Sequence, residues 1–126
     1  MGTVRKQVTL VGTQVINRYN RAKAEGTKIQ IKQISSYLKQ FYVDCNFYPT
    51  TDQGLEALVG KPTGGRECKN YDPNGYIEGG KLPMDGFGNP FSYISDANTF
   101  EVISLGKDGQ EGGEGVDADL SSKTID

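Results

Sequence analysis

The stretch Ala24-Glu-Gly-Thr-Lys-Ile-Gln-Ile-Lys-Gln-Ile-Ser-Ser-Tyr-Leu-Lys-Gln-Phe-Tyr-Val-Asp-Cys45 decides how the chain must fold. Ala24, Thr27, Ile31, Ile34, Leu38, Phe41 and Cys45 recur every three or four residues, which draws one stripe down one face of an α-helix. Lys23, Lys28, Lys32, Lys39 and Gln40 fall on the other face. The pattern reaches back to about Gln14, so the predicted helix spans about 14–44 and measures roughly 45 Å. A domain of this size cannot cover a rod of that length from end to end. Apolar residues concentrate in the second half, while Asn17-Arg-Tyr-Asn-Arg21 is polar and Gly26 interrupts. The second half is therefore expected to pack on the domain and the first half to protrude. The stripe is shorter than the three or four heptads of a coiled coil. Residues 1–13 show no clear period and are set apart as a disordered N-terminus, which leaves 14–126 as one domain.

Composition narrows what such a domain does. The chain has 126 residues, a net charge of −2 and no histidine. The charge gives no footprint for nucleic acid. Without histidine the commonest general base and the commonest transition-metal ligand are both missing. Apolar content is 35% and glycine numbers 17, a loop-rich chain with a modest core. No window resembles a membrane span or a secretory signal, so the chain as it stands reads as soluble. Cys45 and Cys68 stand in no metal or redox motif. They are either inert buried thiols or a disulfide, and an oxidising compartment favours the disulfide, which would tie a loop to the end of the long helix.

Beyond the helix, which should stop near Cys45-Asn46, Pro49 forbids continuation. Thr50-Thr-Asp-Gln53 has capping-box spacing and predicts a second, short helix with Leu55, Leu58 and Val59 buried and Gly60 as a left-handed cap. Residues 63–80 are loop, with a turn at Asp72-Pro-Asn-Gly75 and anchors at Tyr71, Tyr76 and Ile77. Phe91-Ser-Tyr-Ile94 and Thr99-Phe-Glu-Val-Ile-Ser104 flank a turn and predict an antiparallel hairpin, with Phe91 and Tyr93 on one face and Phe100 and Val102 on one face of the partner strand. The fold class is α+β, a long helix packed on a small antiparallel sheet.

The hairpin runs into Ser104-Leu-Gly-Lys-Asp-Gly-Gln-Glu-Gly-Gly-Glu-Gly-Val-Asp-Ala-Asp119. Five carboxylates spaced by glycines repel one another unless something gathers them. The loop is either solvated and acidic or a cage for a hard cation, and Ca²⁺ accepts irregular sets of carboxylate and carbonyl oxygens. Counted from Asp108, EF-hand spacing fails: Gly112 falls at position 5, Asp119 at position 12, and a strand precedes the loop. A local cage of Asp108, Asp117 and Asp119 survives, with Glu111 and Glu114 as surface charges. Those two glutamates could also be read as a hydrolase carboxylate pair, but nothing near them in sequence forms an apolar pocket to raise a pKa. The chain is read as no enzyme.

Three blocks resemble the major pseudopilin, or G subunit, of the bacterial type II secretion system: Tyr48-Pro-Thr-Thr-Asp-Gln-Gly-Leu-Glu-Ala-Leu-Val59, Gly75-Tyr-Ile…Leu82-Pro-Met-Asp-Gly-Phe-Gly-Asn-Pro-Phe91, and Ser104-Leu-Gly-Lys-Asp-Gly-Gln-Glu-Gly-Gly-Glu-Gly115. With the long helix they cover about residues 15 to 119. The resemblance implies a type IV pilin-like fold, self-assembly into a helical pseudopilus in the periplasm, and work alongside minor pseudopilins and inner-membrane secretion components. It also implies Ca²⁺ held by Asp108, Asp117, Asp119 and the Leu105 carbonyl, with Gln110 and Val116 as further candidates. The family's N-terminal hydrophobic segment, the inner-membrane anchor, is not in this sequence, so a soluble truncation is expected. Phe87 stands where the family commonly has tryptophan. The cysteine pair is not a usual family feature, and the tail Leu120-Ser-Ser-Lys-Thr-Ile-Asp126 departs from the family ending. The alternative is a type IV pilus subunit in adhesion or motility, which would call for a cysteine-bounded C-terminal loop.

Overall fold

A computed structural model describes residues 2–125, with side chains from residue 12 onward. Helix α1 is Gly2–Cys45, so its backbone begins well before the expected start near Gln14. The expectation of a disordered N-terminus over residues 1–13 falls mostly on residues whose side chains lie outside the described ones. Where side chains are described, the division of the helix is as expected. Residues 12–19 are exposed, and burial sets in at Thr27. From there Thr27, Ile31, Ile34, Leu38, Phe41 and Cys45 form the buried stripe, with Ala24 half-buried above it. The helix ends where Asn46 turns left-handed at φ 66°, its amide still donating to the Tyr42 carbonyl. Asparagine tolerates that conformation better than most residues with a side chain.

The capping box forms, but the helix it announces does not. Gln53 N–H donates to Thr50 Oγ1 at 3.2 Å, and Thr50 N–H to Gln53 Oε1 at 3.0 Å. Gly54 then adopts φ 69°, which breaks any helical continuation, and only a 3-10 turn follows at Leu55–Leu58. Leu55 and Leu58 are buried, whereas Val59 is half-buried. Gly60 is absent from the left-handed positions; its amide simply donates to the Glu56 carbonyl.

The hairpin pairs β1 (Ser92–Ser95) with β2 (Phe100–Ser104), antiparallel, with Tyr93 opposite Val102. A third strand, β3 (Leu120–Ser121), pairs antiparallel to the other edge of β2 and makes the order β1-β2-β3. The sheet packs on the second half of α1, with β2 in the middle contributing fully buried Val102. Around Phe41, the rings of Phe47, Tyr71 and Tyr76 stand edge-on with centroids at 5.6, 6.1 and 5.5 Å, a favourable aromatic geometry. Cys45 and Cys68 form a disulfide across a Cα separation of 4.9 Å. It fastens the looped middle to the end of α1, as does Tyr76, whose hydroxyl donates to Asp44 Oδ2; Tyr76 and Ile77 are both buried. The Asp72–Gly75 turn closes with Gly75 N–H on the Asp72 carbonyl at 2.9 Å.

Candidate functional site

The acidic loop leaves β2 at Ser104 and returns into β3 at Leu120, so the sheet holds both of its ends. Its neck is tied by Lys107 N–H donating to the Val116 carbonyl at 2.8 Å. Asp117 lies in a short 3-10 turn, Gly115–Asp117. The Asp117 carbonyl is tightly enclosed. A Cβ placed on Gly106 would stand 2.5 Å from it and one on Gly113 2.6 Å from it, and both glycines have positive φ. Glycine is required at these two positions both by space and by conformation.

The predicted ligands are distributed along this frame as follows. Asp108 and Gln110 lie on the exposed outer bend, where Asp108 Oδ1 accepts from the Gln110 amide at 3.0 Å. Asp119 is exposed, and its Oδ2 accepts from the Gly112 amide at 3.2 Å across the loop. Leu105, Val116 and Asp117 are half-buried at the neck. Glu111 and Glu114 are exposed. Among the described residues no three acidic or cysteine side chains converge closely enough to hold a metal as they stand. The donor set nonetheless suits a hard cation: carboxylates and carbonyls, with no histidine and both cysteines bridged. The glycine-lined Asp117 carbonyl and the neck closed at Lys107 also fit, since they bring the two arms of the loop side by side.

What holds this loop in place was not read from the sequence. Asp85, 5% exposed, is a buried carboxylate whose acceptor sites are filled. Its Oδ1 accepts from the Phe87 and Asn89 amides, each at 2.9 Å, and its Oδ2 accepts from Ser104 Oγ at 2.7 Å. Ser104 Oγ in turn accepts from the Gly106 amide, and Asn89 Nδ2 donates to the Gly106 carbonyl at 3.1 Å. Gly86 closes the chain of contacts on the helix, its amide donating to Thr27 Oγ1 at 2.8 Å. A Cβ there would meet the Lys23 carbonyl at 2.4 Å. The segment 85–89 thus joins α1 to the neck of the acidic loop. Asp85, Gly86 and Asn89 lie within a block singled out for its resemblance, but its spacing carries no sign of these tertiary partners.

A family profile described as Type II secretion system (T2SS), protein G, matches residues 14–123. The chain belongs to that family. It is 44% identical over 115 residues to the type II secretion system core protein G of Pseudomonas aeruginosa, covering 90% of this chain and 80% of the relative. To the core protein G of Vibrio cholerae it is 46% identical over 110 residues, 84% of this chain and 73% of the relative. In three dimensions it is similar to the crystal structure of the major pseudopilin from the type 2 secretion system of enterohaemorrhagic Escherichia coli, with TM-score 0.73 and 32% identity, covering 87% and 94% of the two chains. The protein G family therefore shares the long helix packed on a small antiparallel sheet. These relatives are structural subunits of a secretion system and not enzymes, in keeping with the absence of catalytic chemistry expected from the sequence. They give the pilus-subunit alternative no support. Among the described residues no helix is long and apolar enough to cross a membrane.

Proposed function

We propose that the chain is the head and stem of a pseudopilus subunit. Copies assemble on the periplasmic side of the inner membrane into a helical filament that drives protein export across the outer membrane. Minor pseudopilins and inner-membrane secretion components are its partners there. The observation that carries this is α1: its first half projects beyond the head with Val15, Ile16 and Tyr19 all more than half exposed. Such a surface calls for a protein cover, and a heterologous contact that does not close on itself generates a helical fibre.

The acidic loop binds one Ca²⁺ per chain. Asp108, Asp117 and Asp119 offer carboxylates, with Leu105 and Val116 offering carbonyls and Gln110 a side-chain oxygen. The ion supplies charge neutralisation and nothing chemical beyond that. The chain's own part is to present the neck, through Asp85, Ser104 and the two enclosing glycines, so that only the outer bend has to order on binding. The oxygen-only donor set of the loop, gathered between the two arms that Lys107 N–H and the Val116 carbonyl tie together, supports this assignment.

Two experiments test the proposal. Residues 14–123 grafted into the P. aeruginosa core protein G should restore secretion and filaments to a strain lacking its own copy; loss of both despite normal expression would overturn the filament role. In thermal melts Ca²⁺ should raise the melting temperature and EDTA reverse the rise, with Mg²⁺ nearly inert. An Asp117→Ala chain with undiminished Ca²⁺ affinity would overturn the site.

A further inference from the structure

The charges of this chain are divided between its two ends. The first 23 residues carry five basic side chains and no acidic one, whereas the remainder carries nine basic against sixteen acidic. A basic stem and an acidic head attract in head-to-stem order and repel in stem-to-stem order. The apolar surfaces follow the same division. On the stem, Val15, Ile16 and Tyr19 share one side of α1, at 60%, 58% and 62% exposure, flanked by Arg18, with Lys23 stacked on the Tyr19 ring. On the head, an open groove of about 370 Å³ runs between the 3-10 turn at Leu55–Leu58 and the segment leading into β1. Leu55, Leu82, Pro83, Met84 and Phe91 line it, with Met84 55% exposed and Glu56 on the rim. Asp52, also exposed, precedes Glu56 by one turn of chain.

We infer that this groove is the seat for the stem of a second copy, with Val15, Ile16 and Tyr19 entering it and Arg18 facing Glu56. The inference rests on the filament reading and adds to it which face of the head is used. Apolar anchors give the contact its grip, and the rim charges fix its register. The contact is heterologous, since groove and stem are different surfaces of one chain, and so it propagates.

A photo-crosslinker placed at Tyr19 tests it on the assembled filament. Adducts mapped by mass spectrometry should join Tyr19 of one copy to residues 82–91 of another. Glu56→Arg and Arg18→Glu should each lower the yield at least about threefold, and the charge-swapped double variant should recover it. Adducts confined to another face, or a double variant no better than the singles, would overturn the groove assignment while filaments and secretion persist. Loss of filaments and secretion in the unsubstituted chain would instead remove the filament reading itself. A Glu56→Gln chain with an unchanged melting temperature separates lost docking from lost folding: its yield should still fall, and an unchanged yield counts against the inference.

Discussion

At the residue scale, the weight falls on a buried carboxylate and a glycine that no pattern flagged. Asp85 is stable in its burial because three donors satisfy it, and removing one leaves a charge short of partners in a dry place. Ser104→Ala should cost about 1–3 kcal/mol in urea unfolding. It should also weaken Ca²⁺ binding, because Ser104 links Asp85 to the Gly106 neck. Gly86→Ala should be at least as damaging, about 1–3 kcal/mol, since its methyl would meet the backbone carbonyl of Lys23 and neither the loop nor the helix can yield cheaply. Gly60 is the contrast: it has an ordinary φ and open space at its Cβ position. Gly60→Ala should leave stability unchanged or raise it by about 0.4–1 kcal/mol, read by the same unfolding curves.

Among the elements, α1 and the hairpin were legible because their periods differ and each is written over enough residues to be seen. The capping box was legible as well, down to both of its hydrogen bonds, yet it closes a single turn. A local motif fixes local geometry, and the left-handed Gly54 behind it ends the matter. Strand β3, two residues long, has no readable period; it exists because the open edge of β2 is there to pair with. The disulfide joins the end of α1 to a stretch with little regular structure of its own. By the chain-entropy model, replacing both cysteines by alanine should lower stability by about 3 kcal/mol. Amide exchange should quicken most in residues 61–75, while the second half of α1 keeps its protection; uniform loss across the domain would show that the bond acts globally.

For the whole molecule, pH reports on the buried tyrosines, and added Ca²⁺ tests the site proposed in the acidic loop. Burial pushes the Tyr93 hydroxyl up to about 12, and it donates to the Pro49 carbonyl. Burial likewise raises Tyr71 and Tyr76, the latter helped by its hydrogen bond to Asp44 Oδ2 at 2.6 Å. The unfolded chain gives up these protons near pH 10, before the folded one does. Their contribution is therefore complete below about pH 10 and is lost as pH rises toward the folded values. Urea midpoints should fall steeply above pH 10, and Tyr93→Phe should make that fall shallower. Calcium at a hundred times its dissociation constant should add about 2.7 kcal/mol, visible as a shift in melting temperature that vanishes in Asp117→Ala.

The sequence by itself determined the long helix and its buried stripe, the hairpin and the alternation of its faces, the family, and the position of an acidic glycine loop after the last long strand. Periodicity and short motifs carry such features because neighbours in the chain decide them. The tertiary structure alone decided that the cysteines meet, that a third strand completes the sheet, and that the carboxylates of the loop stand apart on a frame held at its neck. It also decided that Asp85 is the residue bracing that neck. The physical reason is the same in each case. The partners lie far apart in the chain, and only packing on the second half of α1 brings them within reach of a hydrogen bond or a covalent one.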